Sequence, residues 1–323
     1  MSSRWSKFLC SLIAALVVSQ ISILAMAEEP TGVRTVRLLT IGNSFADNAC
    51  AFLPQIFAAD PKAELVLMKA NLGGCSLERH WNNAAAAQQG DGGKVYSLVR
   101  GKEKTPATLQ QMLAAEPWDV VTIQQVSNNS WRPDTYHPYI ENLVALVGKE
   151  SPQAQIALHQ TWAYRTDAPL LAEWQLSQEE MYEKLTDAYS RVAKKFDVPI
   201  LPSGSAIQTY RRRDDRQYVV DKEYDFQASP TGPLPKQDNS LVVGWYRSKD
   251  KTKLLLDPKH LNDRGEYLIG AVWYEALTGH DIRENSFVPK GIPAEELKLL
   301  QEVAHQTVAD FKQPAKPLTT LQK

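Results

Sequence analysis

An α/β domain with three layers, helices on both faces of a central parallel five-stranded sheet, is the fold class this sequence predicts. Three observations carry that reading. Five short segments are continuous apolar runs, the pattern of strands buried on both faces, rather than alternating ones. Segments with helical spacing lie between consecutive runs, and strand–helix alternation builds a parallel sheet. The composition, 43% hydrophobic and 23% charged over 323 residues, is that of a folded globular chain. The chain has no internal repeat.

The first strand is Val36–Ile41 (VRLLTI), ended by Gly42-Asn43. Phe45–Ala59 follows with helical spacing, placing Phe52, Ile56 and Ala59 on one face. Leu65–Met68 is the second strand, closed by Asn71 and Gly73-Gly74, and Ala84–Gly101, rich in Ala, Gln and Gly, reads as a loop. A helix around Thr105–Ala115 then leads through Pro117 to the third strand, Val120–Ile123. A helix from about Tyr136 to Gly148 precedes the fourth, Gln155–Leu158, and a long amphipathic stretch, Ser177–Phe196, precedes the fifth, Val198–Leu201. Tyr210–Lys253 is too long for a structureless loop and reads as an insertion with a β-hairpin around Leu241–Arg247. Its run Arg211–Arg216 contains Asp214 and Asp215 and reads as solvated surface. Asp263–Leu277 is a closing helix, capped by Asn262 or Asp263 and followed by Gly279. Pro293–Phe311 is a further amphipathic helix, and residues 281–323 form a carboxyl-terminal helix and loose tail.

Met1–Ala27 has the order of a secretory signal peptide: Arg4 and Lys7, then an apolar stretch, then Ala25-Met26-Ala27 before Glu28-Glu29-Pro30. The expectation is an exported protein, secreted or periplasmic, with no stable membrane insertion after cleavage; an uncleaved amino-terminal anchor is the alternative, since the apolar stretch is near the length that spans a bilayer. Of the three cysteines, Cys10 leaves with that segment; Cys50 and Cys75 remain, as a disulfide or as two buried thiols. A formal net charge of −1 argues against nucleic acid as a partner, because phosphate binding needs a basic field. Six histidines include no H-E-x-x-H or His-x-His word, and no Cys-x-x-Cys stands beside them. Gly90–Lys94 has Val95 where a P-loop needs Ser or Thr. Neither a metal nor another cofactor is expected.

Ser44 stands directly after the first strand, at the sheet edge where open parallel sheets bind ligands. Helix capping is the structural alternative. Far along the chain, Asp257-Pro258-Lys259-His260 sets a carboxylate three residues before an imidazole. A serine hydroxyl needs a base to take its proton, and that base needs an orienting third group. An Asp-x-x-His on a tight turn could supply both.

Together these segments resemble the SGNH/GDSL hydrolase superfamily. The words that carry the resemblance are Ile41–Ala49 (IGNSFADNA), Asn71–Trp81 (NLGGCSLERHW), Thr122–Ser127 (TIQQVS), His159–Tyr164 (HQTWAY), Pro202–Gln208 (PSGSAIQ) and Asp257–Leu268 (DPKHLNDRGEYL). They are similar to an uncharacterised branch common in bacterial secreted proteins. The resemblance implies a flavodoxin-like domain over residues 35–280, with the insertion at 210–253. It implies Ser44 as nucleophile, His260 as general base and then acid, and Asp257 as its orienter. It implies an oxyanion hole from the N–H of Ser44 and of Gly73 or Gly74. The superfamily adds an asparagine from a Gly-x-Asn-Asp word that this chain lacks, so the third donor falls to Gln125, with Asn128 second; polar packing at the strand end is the other reading of Gln124 and Gln125. His159, Trp162 and Tyr164 follow the fourth strand, and His80-Trp81 follow the Gly73-Gly74 turn; both groups border the presumed cleft or pack beneath it. The activity implied is ester hydrolysis on a small-molecule or glycan ester, with acyl transfer to an alcohol using the same residues. The export signal, the aromatic residues and the lack of a long apolar lid segment point to a small acyl group such as acetyl on a carbohydrate. A binding or scaffolding protein on the same fold is the alternative. Oligomeric state is not legible.

Overall fold

In chain order the elements are β1 (Arg34–Gly42), α1 (Ser44–Cys50), α2 (Leu53–Ala58), β2 (Ala63–Asn71), α3 (Leu77–Gln88), β3 (Tyr96–Arg100), β4 (Glu103–Ala107) and α4 (Leu109–Leu113). Next come β5 (Val120–Ile123), α5 (Tyr139–Glu150), β6 (Gln155–His159), α6 (Pro169–Glu173), α7 (Gln178–Phe196), β7 (Ile200–Leu201) and α8 (Ser203–Arg211). The chain closes with β8 (Val242–Arg247), β9 (Leu254–Leu261), α9 (Asp263–Thr278) and α10 (Ala294–Asp310). The structure, a computed structural model, describes residues 32–90, 92–226 and 232–318. The signal-like segment Met1–Ala27 lies outside the described residues, as do residues 227–231 of the insertion.

The central sheet has the order β2-β1-β5-β6-β7, with every pairing parallel. Apolar strand residues such as Leu38, Leu39, Val120, Val121, Ala157 and Leu158 are buried, as the continuous runs required. From β1 the chain first steps to β2, then crosses back to β5 and proceeds outward through β6 to β7. Right-handed crossovers then put α1 and α2 on one face and α3, α4, α5 and α7 on the other. The helix contacts agree: α9 packs on α1, α2, α8 and α10, while α3, α4 and α5 pack on one another. The direction of winding reverses between β1 and β5. A crevice at the carboxyl ends of those strands is where such folds place their ligands.

Some segments differ from the sequence-based expectation. Phe45–Ala59 is two helices, because Pro54, in the first turn of α2, has no N–H to continue the α1 ladder and its ring clashes with the preceding turn. Ala84–Gly101 is no loop. Its alanines, the best helix formers, extend α3 to Gln88, and Tyr96–Arg100 pairs antiparallel with Glu103–Ala107. Thr105–Ala107 is therefore strand, and the helix expected there begins only at Leu109 behind the Thr108 capping box. Of the hairpin expected in the insertion only β8 falls within 210–253; its partner β9 begins at Leu254, beyond Lys253, and carries Asp257 and His260. Cys50 and Cys75 are free, buried thiols, with burial pushing them up to about 12 and about 11.

α7 illustrates how the helices are held. Ser177 caps it through a reciprocal box with Glu180, and Met181, Leu185, Ala188, Tyr189 and Val192 bury one face at helical spacing. Asp197 ends it in the left-handed conformation. α9 is capped by the Asn262 side chain and ends at Gly279, whose φ of 73° suits a residue without Cβ.

Candidate active site

β1 ends at Gly42, and the next two residues turn the chain sharply into α1. A Cβ on Gly42 would lie 2.7 Å from the Gln124 Oε1 and 2.8 Å from the Ala46 Cβ, so only glycine fits between β5 and the first turn of α1. Asn43, fully buried, caps α1: its Oδ1 accepts from the Phe45 N–H (3.0 Å) and from the Gln124 Nε2 (2.9 Å). Its Nδ2 donates to the Cys75 carbonyl at 3.0 Å. The Ser44 N–H, at the first helical position, has no partner among the described residues.

The half-buried Ser44 hydroxyl lies 2.8 Å from His260 Nε2, and His260 Nδ1 lies 2.7 Å from Asp257 Oδ2. Asp257 Oδ1 also accepts the backbone N–H groups of His260 (3.0 Å) and Lys259 (3.3 Å). An ionised carboxylate only accepts, so Nδ1 carries the proton and Nε2 presents its lone pair to the Ser44 O–H. Burial raises the Asp257 carboxyl, but the His260 side chain and the two backbone donors outweigh it and hold the group below its ordinary value.

The turn that holds Asp257 and His260 is not a free loop. Gly244 pairs with Asp257 and Val242 with Leu261, so Pro258, Lys259 and His260 bulge out of the β8–β9 ladder. Three contacts fix the bulge over Ser44. Trp162 Nε1 donates to the Lys259 carbonyl at 2.7 Å, and the Arg165 N–H donates to the Pro258 carbonyl at 2.9 Å. Asn48, one turn along α1 from Ser44, accepts the Leu261 N–H at 3.2 Å and donates to Glu266.

The Gly73-Gly74 turn is fastened at both ends to the residues before Ser44. The Leu72 N–H donates to the Gly42 carbonyl at 3.0 Å, and the Cys75 carbonyl accepts from Asn43. Gly73 and Gly74 are exposed, Gly74 with a φ of 61°, and their N–H groups have no partner among the described residues.

Gln125 is placed differently from its expected role. Its Oε1 accepts the N–H groups of Leu77 and Val126, and its Nε2 donates to the carbonyl and hydroxyl of Thr135. Both of its amide protons are spent there, which removes the reason to name it an oxyanion donor. Asn128 is exposed on the turn after β5, and its amide makes no hydrogen bond among the described residues. The neighbouring Ser127 bonds the Tyr164 hydroxyl at 2.9 Å, and Lys259 stands 5.8 Å from the Tyr164 ring, so this turn adjoins the Asp257–His260 bulge.

The three residues after β6 are also repositioned. His159, Trp162 and Tyr164 are fully buried and support the site from beneath instead of facing a substrate. Trp162 packs edge-on against Phe45 with ring centroids 4.0 Å apart. His159 Nδ1 lies 3.1 Å from the Gln124 Oε1, and its ring meets Trp273 at 4.8 Å. Burial lowers His159 to about 3, so it is neutral. His80 is buried too, between the Tyr96 hydroxyl and the Gly42 carbonyl, and burial lowers it to about 4. The period of the apolar pattern does not distinguish a cleft wall from its support. The local signal for Asn43 was present in Gly42-Asn43-Ser44, but the distant partners that place Asn43 and Asn48 (Cys75, Gln124, Leu261 and Glu266) lie 32 to 218 positions away.

Among the described residues, Glu275, Asp281 and His305 bring ligand-type atoms within 4.8 Å of one another. That cluster joins α9 to α10, and its members already pair: His305 with Glu275 at 2.8 Å, and Asp281 with Arg283. It lies on no element that carries Ser44 or His260.

The fold and this geometry together define a three-layer α/β protein with a Ser–His–Asp chain at the carboxyl edge of its sheet. The model of the family described as a domain of unknown function (DUF4886) matches residues 37–228, and the chain belongs to that family. It is similar to a solved DUF4886 family protein from Bacteroides uniformis, with 28% identity and a TM-score of 0.65 over 89% of this chain and 100% of that one. A lipase/acylhydrolase from Enterococcus faecalis is similar at 13% identity and TM-score 0.40, covering 73% of this chain and 92% of that one. A carbohydrate acetylesterase from Sinorhizobium meliloti is similar at 11% and 0.33, covering 53% and 85%. Comparison with curated proteins gives no match. Among the described residues no helix is long and apolar enough to cross a membrane.

Proposed function

We propose that the protein is a serine esterase that hydrolyses a small ester through an acyl-enzyme formed on Ser44. The observation that carries this reading is the continuous chain from Asp257 through His260 to Ser44, with contacts of 2.7 and 2.8 Å. His260 Nε2 takes the Ser44 proton as the hydroxyl attacks the ester carbonyl, then returns it to the leaving alcohol. Asp257 keeps the imidazole in the reactive tautomer and stabilises the imidazolium. Water, activated by the same nitrogen, then releases the acid. The negative oxygen of the tetrahedral intermediate is received by the Ser44 N–H, an N–H of Gly73 or Gly74, and the Asn128 amide.

The substrate class we propose is a short acyl group, such as acetyl, on a carbohydrate. Exposed Asp47 and Lys69, paired at 2.9 Å, and Asn128 offer polar groups to an acceptor, and Leu67, Val95 and Val99 line the same groove as Asp47 and Lys69. Asn71, at the end of β2, joins that network through Asp47 at 3.0 Å. Turnover of aryl esters of rising chain length, beside acetylated glycans, tests this. Acetyl compounds should turn over fastest, and Ser44→Ala should abolish turnover. A preference for long-chain esters would sink the carbohydrate version.

A further inference from the structure

A cavity of about 290 Å³ opens on the β6–β7 side of the molecule, and Ser44 and His260 do not line it. Its walls include Arg165, Arg211, Arg212, Gln178, Gln208 and Tyr218. The three arginines are not equivalent. Arg165 is buried and satisfied: it grips Asp167 with contacts of 2.7 and 2.8 Å, donates to Gln237 and Ser240, and carries the Tyr218 ring 4.0 Å from its guanidinium carbon. Arg212 is exposed and paired with Glu179. Among the described residues Glu179 is the only carboxylate on the wall, and Gln208 also donates to it.

Arg211 differs from both. This first residue of the charged run turns inward at the end of α8. Its only hydrogen bond among the described residues runs from Nη1 to the Ala163 carbonyl, at 2.8 Å, and no carboxylate pairs with it. Burial and the like charge of Arg165 lower it to about 10. A half-buried guanidinium beside a second one, without a counter-ion, is costly unless an anion completes it. A planar fork with free N–H groups matches a carboxylate. Gln178 donates to Gln208 at 2.6 Å and Gln208 to Glu179 at 2.5 Å, so what remains for a sugar ring is the second N–H of each amide and the face of Tyr218 that Arg165 does not cover. The volume sits near the small end of ligand pockets, roughly 300 Å³ upward.

We propose that this cavity binds an anionic sugar of monosaccharide size, its carboxylate held by Arg211. The inference does not rest on esterase activity. Yet the cavity adjoins the candidate site, since the Arg165 N–H bonds the Pro258 carbonyl in the bulge that carries His260.

Calorimetric titration of the full chain with galacturonate, galactose and sulfate tests it. Galacturonate should bind the unaltered protein and Ser44→Ala equally, galactose should not bind, and sulfate should bind more weakly. Arg211→Gln should weaken galacturonate about tenfold or more. Arg211→Lys, which keeps the charge without the fork, should weaken it less, and it carries the test if Arg211→Gln fails to fold. No galacturonate binding, sulfate binding as tightly as galacturonate, or unchanged affinity in the Arg211 variants would overturn the proposal.

Discussion

Asn128 and Gln125 lie three positions apart, and their surroundings assign them opposite work. Asn128 offers a free, exposed amide on the turn that adjoins the bulge. Gln125 ties Leu77, Val126 and Thr135 together in the interior. Asn128→Ala should therefore lower kcat by about 10²–10³, the cost of one oxyanion donor, and leave the melting temperature unchanged. Gln125→Ala should do the reverse. It strands buried N–H groups at about 1–3 kcal/mol of stability, while the folded fraction keeps its kcat. Steady-state kinetics beside thermal unfolding of both variants separates the roles; a kcat loss confined to Gln125→Ala would reverse them. Sequence could place both residues at the end of β5 because Val120–Ile123 is unmistakably strand. It could not say which way each pointed, since that depends on Thr135 and Leu77, which belong to other segments. His159, Trp162 and Tyr164 were located by the same logic, and the same limit applied: a residue at the end of a strand can form the cleft or hold it up.

At the scale of elements, the candidate site is a junction between α1 and the β8–β9 hairpin. Ser44 rides on one and His260 on the other, and Asn48 bridges them by accepting the Leu261 N–H. Asn48→Ala leaves that N–H unpaired and frees the bulge to drift from Ser44. The expected result is a lower kcat with KM nearly unchanged, and about 1–3 kcal/mol less stability. An unchanged kcat would show that the bulge is held by Trp162 and Arg165 alone. The strands were legible because apolar runs buried on both faces have no surface alternative. The β3–β4 hairpin was not, because Glu103–Pro106 is exposed and carries no apolar pattern. The extension of β9 through Asp257 was hidden for a related reason: a bulge with proline inside it does not read as strand.

For the whole molecule, two neutral histidines buried beneath the site set the acid response. A histidine in the unfolded chain titrates near 6.5, whereas folding lowers His80 to about 4 and His159 to about 3. Between those values the unfolded chain binds protons that the folded one does not. Stability should thus decline as the pH falls below about 6.5, by up to about 1.4 kcal/mol per pH unit for each histidine. The lowered carboxyls, Asp257 and Asp281 among them, lose their contribution only further down, as pH falls through their folded values. Urea midpoints from pH 7 to 4.5 should show the decline, and His159→Gln should flatten it; a flat profile in the unaltered protein would contradict the burial argument.

The central claim is that Ser44 is a nucleophile activated by His260 and Asp257. Reaction with a fluorophosphonate, followed by peptide mass spectrometry, tests it most directly. The expected result is one adduct on Ser44, absent from Ser44→Ala and nearly absent from His260→Ala. A folded protein that takes no label, or that labels equally in Ser44→Ala, would contradict the claim and leave the fold as a binding scaffold.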